Sequence, residues 1–198
     1  MLWKRYFLLL FCCVAYFTGT FGQEVFPQEN FDITTLRNIA RTRTDTKSQV
    51  FRVISDANNY VNIGVPIGLF AVGAINGDKT MRQNALSIGT STAITAVVNY
   101  GIKQLFKRKR PFRKYSNFVA VTQPSGYSFP SGHTSSAFST AVSLSEAYPK
   151  WYVIAPSLLW SSSVAYSRMY LGVHYPSDIA AGALLGSGLA TGVHLIRK

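Results

Sequence analysis

Five apolar segments of helical length constrain the fold of this 198-residue chain more than any other feature of its sequence. They span residues 60–75, 85–106, 131–148, 151–166 and 179–196, with short polar breaks between them. Each segment comes close to the roughly 20 residues that one crossing of a bilayer requires. None alternates polar and apolar residues as a half-buried β-strand does. The pattern predicts an all-α helical bundle.

The composition of these segments favours a membrane protein. Trp and Tyr lie at several segment ends, and turns such as Tyr148-Pro149-Lys150 are very short, as is common in membrane bundles. Small residues fill the first half of segment 85–106, which lets helices pack closely. We expect a polytopic membrane protein with five or six transmembrane helices. Ser, Thr and Asn residues interrupt the segments, so a soluble bundle is the alternative.

Residues 1–22 have the layout of an export signal. Lys4 and Arg5 precede an apolar run of about 12 residues, and the small residues Thr20 and Gly22 stand where a cleavage site needs them. The run is short for a membrane span of about 20 residues. A cleaved signal peptide is therefore favoured over an uncleaved N-terminal anchor, and either one predicts export.

Residues 23–57 form a polar, amphipathic N-terminal segment. Leu36, Ile39 and Ala40 fall on one face of a predicted helix. Such a helix either lies at a lipid surface or covers the core. Residues 58–198 form the predicted helical domain.

The charge distribution limits the chemistry available to the chain. It holds 20 Lys and Arg residues against 8 Asp and Glu residues, a net charge of +12. Beyond Asp78 the carboxylates are Glu146 and Asp178, and there are 3 histidines in all. This is little material for a metal centre, so we expect no metal and no cofactor.

A basic cluster covers residues 103–114. Its members are Lys103, Lys107, Arg108, Lys109, Arg110, Arg113 and Lys114. Taken alone, such a cluster is typical of a surface attracted to anionic lipid or nucleic acid, and export disfavours nucleic acid as a partner. Arg also grips phosphate oxygens through paired hydrogen bonds, and Lys adds a point charge. The cluster therefore also suits a phosphate group.

A second cluster, Pro130-Ser131-Gly132-His133, combines turn-forming residues with a histidine. Pro and Gly predict a tight turn, and the small residues that follow can open a helix. The free N–H groups at such a helix start form an anion site. An ordinary turn with a capping Ser is the alternative for this fragment alone.

A third cluster ends at Asp178, four residues after His174. Pro176 and Ser177 predict the start of a helix there. The Asp178 carboxylate can then reach a ring nitrogen of His174 and fix its tautomer. The other ring nitrogen is left as a nucleophile or a base. A helix-capping Asp near a buried His is the alternative reading.

Together the three clusters resemble the signature of the type 2 phosphatidic acid phosphatase superfamily. That signature reads Lys, six residues, Arg-Pro; then Pro-Ser-Gly-His; then Ser-Arg, five residues, His, three residues, Asp. The chain meets all eleven specified positions in order, across residues 103–178. At roughly 5% frequency per residue type, chance does not produce so many matches.

The resemblance implies a metal-free phosphatase that works through a phosphohistidine. His174 would be the nucleophile, Asp178 would orient it, and His133 would be the general acid and then the base. The phosphoryl oxygens would be held by Lys103, Arg110, Ser131, Gly132 and Arg168. Residues 58–198 would then be the phosphatase domain.

Alternating helices starting from an exported residue 23 bring all three clusters to the outer face of the membrane. The expected function is hydrolysis of a lipid phosphate or pyrophosphate at the periplasmic face of a bacterial inner membrane. Candidate substrates are undecaprenyl pyrophosphate, phosphatidylglycerol phosphate, phosphatidic acid and lipid A. One alternative is a soluble, non-specific periplasmic acid phosphatase. Another is a vanadate-dependent haloperoxidase, because vanadate mimics phosphate in such a pocket. The sequence makes no prediction about the oligomeric state.

Overall fold

The computed structural model describes residues 30–197, which fold into seven helices and no β-strand. The helices are α1 (Phe31–Arg41), α2 (Asp45–Ile75), α3 (Lys79–Phe106), α4 (Pro111–Lys114), α5 (Gly132–Ala147), α6 (Trp151–Tyr170) and α7 (Pro176–Arg197). The predicted all-α bundle is confirmed. The predicted signal peptide or anchor, residues 1–22, lies outside the described residues.

Helix α2 is longer than the apolar pattern indicated. It has 31 residues and begins after Thr44, whose side chain accepts a hydrogen bond from Lys47 N. The boundary expected between residues 57 and 58 therefore lies inside this helix. No Gly or Pro lies between residues 45 and 63, and the Asn58 amide within that stretch donates to Ser136 Oγ of α5 (3.2 Å). The polar N-terminal third and the apolar remainder form one continuous helix.

The bundle is polar inside and apolar outside. Thr95 Oγ1 of α3 donates to Ser139 Oγ of α5 (3.1 Å), and Asn99 donates to Ser135 Oγ (3.1 Å). The outer faces instead present large apolar side chains, such as Val97 of α3, 72% exposed. This arrangement suits a lipid environment, in which buried polar groups pair between helices and apolar side chains face the acyl chains.

Within residues 30–197, three helical segments are long and apolar enough to cross a membrane. They are Asp45–Ile75, Lys79–Lys114 and Pro176–Arg197. Helix α5 has 16 residues and is more polar, and α6 has 20. A membrane protein is supported, and the count of five or six spans stays a prediction.

Helices α5 and α7 approach each other at backbone distance. The face that α7 buries repeats every fourth residue: Asp178, Gly182, Gly186 and Ala190. A Cβ atom at Gly186 would lie 2.1 Å from the carbonyl oxygen of Ser135. At the same interface, Ser131 N donates to the carbonyl oxygen of Asp178 (3.0 Å). Glycine therefore allows α5 and α7 to pack this closely, and the hydrogen bond joins the start of α5 to the start of α7.

Helix α1 covers the end of the bundle where α7 begins. Its buried residues Ile33 and Leu36 pack against Tyr115, Phe118 and Tyr175. This part of the amphipathic N-terminal segment therefore covers the protein core.

Candidate active site

The three motif clusters meet at one end of the bundle. Lys103 lies in the last turn of α3, Ser131 caps α5, and Arg168 lies in the last turn of α6. Three contacts join the clusters: Lys103 Nζ to Pro130 O (2.6 Å), Arg110 Nη1 to His174 Nε2 (3.2 Å) and Ser131 N to Asp178 O (3.0 Å). Residues up to 75 positions apart in sequence thus line one site.

His174 is held at both ring nitrogens. Its Nδ1 lies 3.3 Å from Asp178 Oδ2 and 3.4 Å from Ser128 Oγ. Its Nε2 faces Arg110 Nη1 at 3.2 Å. Because a guanidinium only donates hydrogen bonds, Nε2 is the accepting nitrogen and the proton belongs on Nδ1. The lone pair of Nε2 therefore points toward the cationic side of the site.

Burial keeps the His174 ring neutral. The residue is 1% exposed, and this burial lowers its pKa to about 3. The Asp178 carboxylate opposes that shift, whereas the charges of Arg110 and Arg168 add to it. An unprotonated imidazole at neutral pH is what a nitrogen nucleophile requires.

The Asp178 carboxylate is fully buried and fully hydrogen-bonded. Its Oδ2 accepts from the backbone N–H of Tyr175 (2.9 Å) and from the hydroxyl of Ser128. Its Oδ1 accepts from Arg108 Nη1 (2.6 Å). The sequence did not assign Ser128 or Arg108 to the site. Both lie within two residues of a motif position, which is the signal that could have found them.

Three cations of the site, Lys103, Arg110 and Arg168, form no salt bridge with a carboxylate within residues 30–197. Lys103 donates to backbone carbonyls at Tyr127, Ser128 and Pro130, and Arg110 to those at Ser125, Gly126 and Val173. These partners are neutral, so the contacts fix the side chains in place and leave the positive charge for an anion. They also tie the 125–130 segment to α3 and α4.

Arg168 has a spare donor inside the site. The residue is 6% exposed, and its Nη1 donates to the hydroxyl of Ser55 on α2. Its Nε is buried without a hydrogen-bond partner in the described part of the chain. A buried guanidinium N–H without an acceptor is costly, and a phosphoryl oxygen is a suitable partner.

His133 lies in the first turn of α5 beside these cations. The charges of Arg168, Arg110 and Lys103 all act on its ring. Gly132 precedes it, where the first N–H groups of a helix have no acceptor within the helix. The start of α5 thus presents a titratable ring and backbone donors to the same site.

Metal ligands are scarce in this region. Nowhere in residues 30–197 do three His, Cys, Asp or Glu side chains come together in a group that could hold a metal ion.

The structure thus combines an all-α bundle that has apolar outer faces with a cationic, histidine-containing site at one end, features that suit a membrane-associated phosphatase. The chain belongs to the PAP2 superfamily, whose family model matches residues 84–198. The predicted family is thereby confirmed, and the apolar helices together with relatives named as phosphatases confirm the membrane character and the phosphoric monoester hydrolase activity.

Individual proteins share most of the chain's length. An undecaprenyl-diphosphatase of Sulfolobus acidocaldarius is 32% identical over 188 residues, covering 92% of this chain and 85% of that protein. The crystal structure of Aquifex aeolicus LpxE matches with a TM-score of 0.74 and 25% identity, covering 86% of this chain and 99% of that one. A Bacillus subtilis PAP2-type phosphatidylglycerolphosphate phosphatase has a TM-score of 0.76 at 21% identity, covering 100% and 96%. The last likeness concerns the fold alone.

Proposed function

We propose that this protein hydrolyses a lipid phosphate or pyrophosphate without a metal ion, through a phosphohistidine, at the periplasmic face of a bacterial inner membrane. The observation that carries the proposal is the geometry of His174. Its protonated nitrogen lies against Asp178, and its unprotonated nitrogen faces Arg110 within a cluster of cations that form no salt bridge with a carboxylate of residues 30–197.

The reaction would proceed in two displacements. His174 Nε2 attacks phosphorus, the bond from phosphorus to the leaving oxygen breaks, and protonated His133 donates its proton to that oxygen. Neutral His133 then takes a proton from water, whose oxygen attacks the phosphohistidine and breaks the P–N bond. Inorganic phosphate leaves, and both histidines return to their starting states. Proton transfer of this kind contributes about 10²–10⁴-fold.

The site's cations would stabilise the transition state. Phosphoryl transfer spreads negative charge over the equatorial oxygens, and its catalysis rests on positioning and electrostatic stabilisation. Lys103, Arg110 and Arg168 are already fixed by neutral partners, so they need little reorganisation when that charge develops. The Ser131 hydroxyl and the Gly132 N–H would complete the phosphate site.

A polyprenyl diphosphate is the substrate that the comparisons favour. The relative that covers 92% of the chain is named an undecaprenyl-diphosphatase. The apolar outer faces of α2, α3 and α7 would keep the acyl or prenyl chain in lipid while the head group enters the site at the bundle end.

Removal of divalent metal is expected to leave activity unchanged. The proposed catalytic charges come from side chains, so EDTA has nothing essential to extract. Phosphate release by the detergent-purified protein should be the same with EDTA as with added Mg²⁺, within about twofold. Loss of turnover in EDTA that Mg²⁺ restores would refute the metal-independent mechanism.

Lipid substrates are expected to be preferred over a soluble one. Phosphate release is compared for undecaprenyl pyrophosphate, phosphatidylglycerol phosphate and a water-soluble aryl phosphate, in mixed micelles and with EDTA present. A higher kcat/KM for one of the two lipids supports the proposal and names the head group. Equal or faster turnover of the aryl phosphate would favour a general phosphatase instead.

A further inference from the structure

Arg108 differs from its neighbours in the basic cluster. Lys107 and Lys109 are exposed, whereas the Arg108 side chain is 31% exposed and lies over the ring of Tyr175, 4.0 Å from its centroid. Its Nη1 donates to Asp178 Oδ1 (2.6 Å) and to Ser177 Oγ (2.7 Å). One residue of the cluster thus contacts the carboxylate that orients His174.

The other end of the Arg108 guanidinium is held by Asp32 of α1. Arg108 Nη2 donates to Asp32 Oδ2 at 2.7 Å. Asp32 also accepts from Ser177, from the backbone N–H at 3.0 Å and from the hydroxyl at 2.6 Å. The Asp32 side chain is 12% exposed. Asp32 therefore fixes both Arg108 and the first turn of α7, where Asp178 lies.

The two oxygens of Asp178 have separate partners. Oδ1 binds Arg108, and Oδ2 faces His174, the Ser128 hydroxyl and the Tyr175 N–H. The arginine fixes the rotation of the carboxylate, so that Oδ2 stays aimed at Nδ1 of His174. It also keeps the carboxylate ionised, because an opposite charge at hydrogen-bond distance favours the charged form.

We propose that Arg108 and Asp32 form a positioning pair that links α1 to Asp178 and sets the rate of phosphoryl transfer without contacting the substrate. This rests on the proposed function, in which Asp178 orients the nucleophile. Both terminal nitrogens of Arg108 are already occupied by protein acceptors. The pair is therefore expected to affect kcat and to leave substrate affinity almost unchanged.

The test compares Arg108→Ala, Arg108→Lys and Asp32→Asn with the matched control Lys109→Ala, which removes an exposed charge from the same loop. Losing a partner that orients a metal-ligating histidine typically costs about 10–100-fold in activity. We expect Arg108→Ala, which removes a comparable orienting contact, to lose kcat in the same range, with KM changed less than about threefold. Arg108→Lys should recover part of the loss, and Asp32→Asn should lose about tenfold. Lys109→Ala should match the wild type.

Chemical rescue separates positioning from folding. The site of Arg108 reaches solvent, so millimolar guanidinium chloride should restore part of the Arg108→Ala kcat, whereas urea at equal concentration should not. Wild-type kcat in both Arg108→Ala and Asp32→Asn would overturn the proposal. So would a loss confined to KM, or a loss of kcat that guanidinium leaves unchanged. If Arg108→Ala does not fold, Asp32→Asn tests the proposal in the same way: a loss of kcat with KM almost unchanged supports it, and any other result contradicts it.

A parallel measurement distinguishes failure of the proposed phosphohistidine mechanism from failure of the Arg108–Asp32 proposal. Wild-type protein is quenched during turnover of ³²P-labelled substrate and assayed for acid-labile protein phosphate. Labelled wild type and unlabelled His174→Ala support the phosphohistidine. Turnover without ³²P on the protein refutes the phosphohistidine, whatever the kinetics of Arg108→Ala show. The proposed role of Arg108 and Asp32 is then refuted as well.

Discussion

His174→Ala is expected to abolish turnover while the protein still binds phosphate. The substitution removes the nitrogen that would form the covalent intermediate, and no other described side chain stands in its place against Asp178 and Arg110. Removing a nucleophile from a comparable constellation costs about 10⁴-fold or more in kcat. Lys103, Arg110 and Arg168 keep their own partners, so inorganic phosphate should still bind in a calorimetric titration.

His194→Ala is the matched control for that experiment. His194 lies in the last turn of α7, at the opposite end of the helix from Asp178. Its replacement should leave kcat within about twofold of the wild type. Substantial phosphate release by His174→Ala, with the control unchanged, would show that another group is the nucleophile.

The geometry around Asp178 could be predicted from the sequence because it is local. Pro176 is favoured at the first position of a helix, and α7 begins there. Asp178 lies four positions after His174, and a first turn of helix folds that carboxylate back to Tyr175 N and to the histidine ring. Local propensity and spacing were sufficient for this part of the site.

The partners that hold Asp178 and Arg168 in place could not be predicted in the same way. Asp32 and Ser177 are 145 residues apart, and Ser55 and Arg168 are 113 apart. These contacts depend on how α1 and α2 pack over the bundle end. A polar segment with few apolar positions does not specify such packing. The absence of a Gly or Pro near residue 57 permits one continuous α2. The apolar run begins only at Tyr60, however, so it does not reveal that the helix starts at Asp45.

Gly186→Ala is expected to destabilise the whole bundle. The new methyl group would lie 2.1 Å from Ser135 O and 2.9 Å from Ser139 N, and all of these neighbours are backbone. A backbone cannot rotate away as a side chain can, so α5 and α7 must separate. Overpacking of this kind costs about 1–3 kcal/mol or more, which lowers a melting temperature by several degrees, about 2–4 °C per kcal/mol for a chain of this size.

Gly188→Ala isolates the cause, because Gly188 lies on the same helix and a Cβ there meets nothing within 4 Å. That variant should melt at or above the wild-type temperature, since alanine is favoured over glycine in a helix by about 1 kcal/mol. Thermal unfolding in detergent, followed by size-exclusion chromatography, compares the two. Equal melting temperatures would show that α5 and α7 are not in backbone contact.

Because Ser131 N donates a hydrogen bond to Asp178 O across this same interface, the folded fraction of Gly186→Ala should also have reduced kcat. The close glycine packing and the placement of Asp178 are then one structural requirement.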